Sequence, residues 1–184
     1  MCVFCSLLYK LIPNTNKDGD QKQMMTVWMF LFFAILSFIS LHILTKKTNV
    51  TIVLGNYFAS NILITISGVI INLNLKLTKQ DPTSHLIFWT QKIPELSLKP
   101  TIMLWYIFIL FSARSILSKC FHALIFLTAL VSIELYFVHI KYLQWVHWNV
   151  FYSYLRYGLI ISLLAVYFYY VEKLIHNDKE VNAI

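Results

Sequence analysis

Glu134 is the acidic residue that the sequence places inside an apolar stretch, LTALVSIELYFVHIKYLQW. A carboxylate at membrane depth costs several kcal/mol unless it is paired, protonated or in contact with water. On a helix, Lys141 shares a face with Glu134, with about 10 Å between their backbones along the axis. His139 lies between them in sequence, and Arg156 can approach from the next apolar stretch across a short hairpin. The pattern predicts either a proton or ion relay of Glu134, Lys141, Arg156 and His139, or a structural role as an interhelical ion pair or a contact to a neighbouring subunit.

Other residues of chemical interest form weaker patterns. Histidines on or near apolar stretches make haem ligation between helices conceivable, but no pair has a convincing spacing, so we expect structural histidines (His42, His122, His139, His147). Cys2 and Cys5 form an isolated C-x-x-C, which without a second pair is weak evidence for a metal. Motifs of soluble enzymes, such as a phosphate-binding loop or a nucleophile elbow, do not occur. We therefore expect no catalytic residue, no metal and no cofactor.

Composition decides the class of protein. Of 184 residues, 59% are hydrophobic and 12% are charged, and the mean hydropathy is +0.68, whereas soluble domains carry about 25% charged residues. So few charges cannot cover a soluble protein, which excludes a soluble enzyme, a disordered tail and a nucleic-acid-binding protein. The net charge of +7 comes from cations spread along the chain, as expected of residues that flank membrane spans.

Apolar runs predict an all-α integral membrane protein with four transmembrane helices and one short or half-spanning helix. A span needs about 20 mainly apolar residues, and four runs meet this requirement: 24–44, 50–75, 120–140 and 150–171. The run 101–113 has thirteen residues, about 20 Å of helix, which is too short to cross. The predicted organisation is a tail with a short interfacial segment (1–23), a transmembrane hairpin (24–75), a hydrophilic loop (76–100), a transmembrane bundle (101–171) and a polar tail (172–184).

The region 76–100 is predicted to be a loop because three prolines interrupt it and charged residues are frequent there. Proline in a helix interior removes a hydrogen bond and clashes with the preceding turn. With five spans, eight Lys or Arg residues fall on one side of the membrane and six on the other. This difference is too small for the positive-inside rule to assign an orientation.

Lys46–Leu54, KKTNVTIVL, resembles the junction between the first two helices of the small 4L/K-type membrane subunit of respiratory complex I. That family carries a buried Glu in its second helix, where this chain has Asn56, Tyr57 and Phe58. The segment SIEL, Ser132–Leu135, is similar to the Glu-bearing segment of the family but lies one hairpin later. The resemblance implies a role in proton translocation, with Glu134 as the residue carried over.

A second resemblance is to the cytochrome b-type membrane anchor of succinate dehydrogenase. Asp81–Trp89, DPTSHLIFW, resembles the segment before the first helix of that family, and Ile140–Trp145, IKYLQW, is similar to a stretch further along. Leu135 stands where the family has its haem-binding histidine, so this resemblance implies an anchor without that ligand. The two resemblances together imply a multi-pass protein of the mitochondrial inner membrane. The expected partners are other subunits of a respiratory complex and lipids, with ubiquinone as a candidate ligand and no nucleic acid.

Overall fold

The fold is a bundle of long helices joined by short connections. The computed structural model describes residues 17–80, 85–112, 115–140 and 142–181, and within them the side chains of 24–79, 88–112, 115–140 and 142–175. In chain order the helices and strands are α1 (Lys17–Lys47), α2 (Val50–Val69), β1 (Thr78–Gln80), α3 (His85–Leu96), α4 (Leu98–Ser112), α5 (Ile116–His139), β2 (Leu143–Trp145) and α6 (Val150–Val181).

Five helical segments are long and apolar enough to cross a membrane: Met24–Lys47, Val50–Asn74, Phe88–Ser112, Ile116–His139 and Val150–Ile175. By length and composition the chain is a multi-pass membrane protein of the all-α class. Many large apolar side chains point outward, Trp28, Phe58 and Phe151 among them. In water such a surface would drive aggregation, whereas lipid tails cover it without that penalty.

The third span differs from the sequence-based prediction. The sequence predicted a half-span over 101–113 after a loop over 76–100. Both bounds were wrong, because the helical path begins at His85 and continues through α3 and α4 to Ser112. Pro94 lies inside α3, and Pro100 lies in the first turn of α4. The helical path bridges the turn at Ser97, whose amide donates to the Ile93 carbonyl.

A contact from another helix compensates for Pro100. Proline has no amide hydrogen, so it cannot donate to the carbonyl four residues earlier, which is that of Leu96. The hydroxyl of Tyr57 on α2 donates to this carbonyl at 2.5 Å. Both Pro94 and Pro100 are fully buried. Burial among neighbouring helices and an external donor thus allow a proline-containing helix where the sequence predicted a loop.

The helices pack around an apolar core that α4, α5 and α6 share with α2. Its most buried members are Met103, Leu130, Tyr157 and Leu164. The first helix packs against α2 and α4, where Leu44, Val53 and Leu104 form a small separate cluster. The indole of Trp105 on α4 also donates a hydrogen bond to the hydroxyl of Ser40 on α1.

One end of the bundle carries a small antiparallel sheet, in which Thr78 pairs with Trp145 and Gln80 with Leu143. A turn of π-helix, Ile70–Asn74, ends the second span, and Lys76 adopts a positive φ of 50° before β1. We call the end with β1 and β2 the sheet side. The second and fourth spans end on the sheet side, and the third and fifth begin there.

Candidate functional site

Glu134 is buried near the sheet side of the bundle, with 3% of its surface exposed. It lies five residues before the end of α5, which corresponds to about 7.5 Å below the helix end. One carboxylate oxygen, Oε1, accepts a hydrogen bond of 2.9 Å from the hydroxyl of Ser153 on α6. The other, Oε2, is fully buried and has no hydrogen-bond partner among the described residues.

Arg156 provides the counter-charge. Its Nη1 lies 3.9 Å from Oε2 of Glu134, which is an ion pair without a hydrogen bond. The same guanidinium donates through Nε to the hydroxyl of Ser67 at 3.0 Å, and through Nη2 to the carbonyl of Ile64 at 3.4 Å. Arg156 is thus hydrogen-bonded to α2 and only electrostatically paired with α5. A guanidinium stays charged in proteins, so this position provides a fixed positive charge beside Glu134.

Ser153 links the carboxylate to the membrane surface on the sheet side. Its hydroxyl is fully buried, donates to Glu134 and accepts a 2.8 Å hydrogen bond from the indole of Trp148. Trp148 precedes α6 and packs against Tyr152, with 5.5 Å between the ring centroids. Tryptophan and tyrosine are common at the membrane–water interface. The row Trp148, Ser153 and Glu134 therefore runs from the interface to the buried carboxylate.

Lys99 is a second buried cation, which the sequence analysis missed. It is the one buried lysine among the described side chains, with 4% of its surface exposed. Its Nζ lies 5.6 Å from the ring centroid of Tyr157, and the guanidinium carbon of Arg156 lies 5.2 Å from the same centroid. Two cations therefore lie close to the ring of Tyr157. The signal in the sequence was hidden because Lys99 stands next to Pro100, in a region predicted to be a loop.

The structure brings together two of the four residues predicted to form the relay. Glu134 and Arg156 form the buried pair described above. His139, the last residue of α5, is exposed, and no hydrogen bond or ion pair joins it to Glu134 in the described part of the chain. Lys141 lies outside the described residues. The geometry therefore supports a site made of Glu134, Arg156 and Ser153, with Lys99 nearby, rather than the predicted set.

The other candidate ligands are dispersed. Across the described ranges, His, Cys, Asp and Glu form no group of three or more that could hold a metal ion. The ring of His122 is hydrogen-bonded within its own helix, with Nδ1 2.7 Å from the carbonyl oxygen of Ser118. That contact fits the structural role expected of the histidines.

Comparison of the chain with protein-family models, with curated proteins and with solved structures found no match.

Proposed function

We propose that this protein is a membrane subunit of a mitochondrial respiratory complex, with the membrane arm of complex I as the first candidate, and that Glu134 carries protons within it. One observation carries the proposal: the carboxylate is 3% exposed, and Oε2 has a cation 3.9 Å away but no hydrogen bond from any side chain that the structure describes. The positive charge of Arg156 therefore stabilises Oε2, but no described residue donates a hydrogen bond to this oxygen. Such an oxygen can accept a proton.

Energetics favour a functional reason for this pair. Two unit charges 4 Å apart attract each other by about 4 kcal/mol at an effective dielectric constant near 20. The cost of burying each ion is also several kcal/mol, so a buried pair is weak evidence for stabilisation. Ionisable residues inside membranes are rare and commonly belong to proton or ion pathways. A carboxylate retained here is thus better explained by its chemistry than by its contribution to stability.

The membrane setting of the proposal has two supports. The outward-facing apolar side chains on several helices suit a protein surrounded by lipids and other membrane subunits. The resemblance of Lys46–Leu54 and Ser132–Leu135 to the 4L/K-type subunit supplies the choice of complex I in the mitochondrial inner membrane. Ubiquinone, the electron acceptor of that complex, remains the candidate ligand of the assembly.

Native gel electrophoresis of solubilised membranes tests the choice of complex. The protein should migrate with a large assembly that oxidises NADH in the gel. Migration with a succinate-oxidising assembly would replace complex I by the anchor of succinate dehydrogenase. Migration as a small, free protein would contradict membership of a respiratory complex.

Replacement of Glu134 tests its role. In Glu134→Gln the side chain keeps its shape and can still accept from Ser153, but it can no longer take up a proton. We expect the complex to assemble and to lose proton translocation in sealed vesicles. Ser162→Ala is the control, because Ser162 is exposed on α6, the helix that carries Ser153 and Arg156, and its hydroxyl donates to the Gly158 carbonyl.

A second candidate is a structural subunit without chemistry of its own, such as a membrane anchor of succinate dehydrogenase. The observation that favours it is the hydrogen bonding of Arg156 to Ser67 and Ile64, which fastens α6 to α2. With this function, Glu134→Gln would lower the amount of assembled complex and leave the activity of each assembled complex unchanged.

A further inference from the structure

A row of charged residues follows one face of the third span from the sheet side inward. Lys92, Glu95 and Lys99 are spaced three and four residues apart, so they lie on the same side of the helical path through α3 and α4. The Nζ of Lys92 forms an ion pair of 2.8 Å with Oε2 of Glu95. Counted from Phe88, the three residues lie about 6, 10 and 16 Å along the span.

Exposure falls steadily along this row. The side chains of Lys92 and Glu95 are 36% and 19% exposed, and Lys99 is 4% exposed. Charged groups at these depths do not face hydrocarbon without large cost, and they face the bundle interior or water instead. The partly exposed outer pair and the buried inner lysine are therefore the pattern expected of a polar path that narrows toward the centre of the membrane.

The inner end of the row reaches the site around Glu134. Side chains on a helix tilt toward its N-terminus, and the third span begins at the sheet side, so Lys99 extends toward the level of Arg156 and Tyr157. Attraction acts between Lys99 and Glu95 on one side, and between Lys99 and Glu134 on the other. The ring of Tyr157 lies beside both cations, 5.6 Å from Nζ of Lys99 and 5.2 Å from the guanidinium carbon of Arg156. From Glu95 through Lys99 and Arg156 to Glu134 the charges are thus negative, positive, positive and negative, and the two cations in the middle repel each other.

We propose that Lys92, Glu95 and Lys99 form the proton entry path to Glu134 from the sheet side, with Lys99 as the inner proton carrier. This inference rests on the proposed function of Glu134. The Lys99 ammonium first releases a proton past the Tyr157 hydroxyl to the carboxylate of Glu134 and becomes a neutral amine. The Glu95 carboxylate takes a proton from water, and the resulting carboxylic acid passes it to this amine. Lys99 is then an ammonium ion again and Glu95 a carboxylate.

Cysteine labelling tests the path without any measurement of activity. Glu95→Cys is introduced into a chain whose native cysteines are replaced by serine. Membranes whose sheet side faces the solution are then treated with a membrane-impermeant methanethiosulfonate reagent that carries an ammonium group. The matched control is Leu96→Cys, because Leu96 is adjacent in depth but is an exposed apolar side chain, 51% exposed. Since only the thiolate reacts, a cysteine in water should react at least about tenfold faster than one in lipid.

Equal, slow labelling of Glu95→Cys and Leu96→Cys would overturn the entry path, whatever Glu134 does. Lys92→Cys, further out on the same row, guards against a folding defect specific to position 95. It should react at least as fast as Glu95→Cys, and slow labelling at both positions would also overturn the path.

Lys99→Arg separates proton transfer from a structural role. Arginine keeps the positive charge but does not release a proton, whereas Lys99→Met removes both. The amount of assembled complex can fall in either variant, so proton translocation is measured per assembled complex. We expect it to be lost in both variants. Restoration of translocation by arginine would overturn Lys99 as a carrier. Normal translocation in Glu134→Gln would instead refute the proposed function and leave the labelling result as an independent test of the path.

Discussion

The two halves of the bundle differ in what their cores contain. The sheet-side half holds charged groups: Glu134, Arg156 and Lys99, with Glu95 close behind them. The opposite half buries uncharged side chains, mostly apolar ones together with Asn56 and Ser60, and Phe111 and Phe168 pack there with 4.7 Å between their ring centroids. Apolar packing needs no further explanation, whereas buried charges are expensive to keep. We therefore expect the opposite half to contribute mainly to stability, and we propose proton chemistry for the sheet-side half.

The largest expected effect comes from removing the fixed cation on the sheet side. Arg156→Met leaves the Glu134 carboxylate buried without a counter-charge, and loss of one partner of a buried pair costs about 3–5 kcal/mol. Thermal unfolding of the detergent-solubilised protein measures it. Combining Arg156→Met with Glu134→Gln should recover most of the loss. If the double variant is as unstable as the single one, the two residues are not coupled.

The opposite half should respond in stability alone. Leu164 is fully buried, so Leu164→Ala leaves a cavity and should cost about 3 kcal/mol. Proton translocation by each assembled complex should not change. The neighbouring Leu163 is 48% exposed, and Leu163→Ala should have a much smaller effect on stability. A translocation defect in Leu164→Ala would argue against the division between the halves.

An intermediate effect is expected for Ser153→Ala. It removes the hydrogen bond that the Ser153 hydroxyl donates to the Glu134 carboxylate, and loss of a hydrogen bond to a charged group costs about 2 kcal/mol. Translocation should also slow, because the link from Trp148 to Glu134 is interrupted. Both quantities can be compared with those of Ser162→Ala. A loss no greater than in that control would contradict a role for Ser153.

The smallest effect should come from Tyr57→Phe. The Tyr57 hydroxyl donates to the Leu96 carbonyl, which Pro100 leaves without a backbone donor. Losing this hydrogen bond should lower the free energy of unfolding by about 1 kcal/mol. Tyr154→Phe is the matched change, since the Tyr154 hydroxyl pairs at 3.2 Å with the exposed side chain of Thr128. Equal melting temperatures for the two variants would show that the hydrogen bond from Tyr57 to the Leu96 carbonyl does not stabilise the protein.

Hydropathy predicted four of the spans and the class of the protein, because length and apolar content suffice for that. It also predicted that Arg156 could approach Glu134, since the two residues flank a short hairpin. The third span was not predictable in the same way. Whether a helix continues past Pro100 depends on a donor to the Leu96 carbonyl, and that donor, Tyr57, is 39 residues away in sequence.

The inner lysine was missed for the same reason. Once residues 76–100 were predicted to be a loop, Lys99 became an ordinary solvated charge. Its burial against Tyr157 follows from the packing of α4 on α6, which no local pattern reveals. The β1–β2 pairing also joins segments far apart in sequence. Long-range contacts of this kind decide which charges are buried, so the site could be only half predicted.

The most direct test of the central claim is the number of protons translocated per electron in sealed vesicles that contain the assembled complex. Glu134→Gln should lower this number while electron transfer and assembly persist, and Glu134→Asp, which keeps a carboxyl group, should restore part of it. The same proton-to-electron ratio in Glu134→Gln as in the native protein would contradict the claim that Glu134 carries protons.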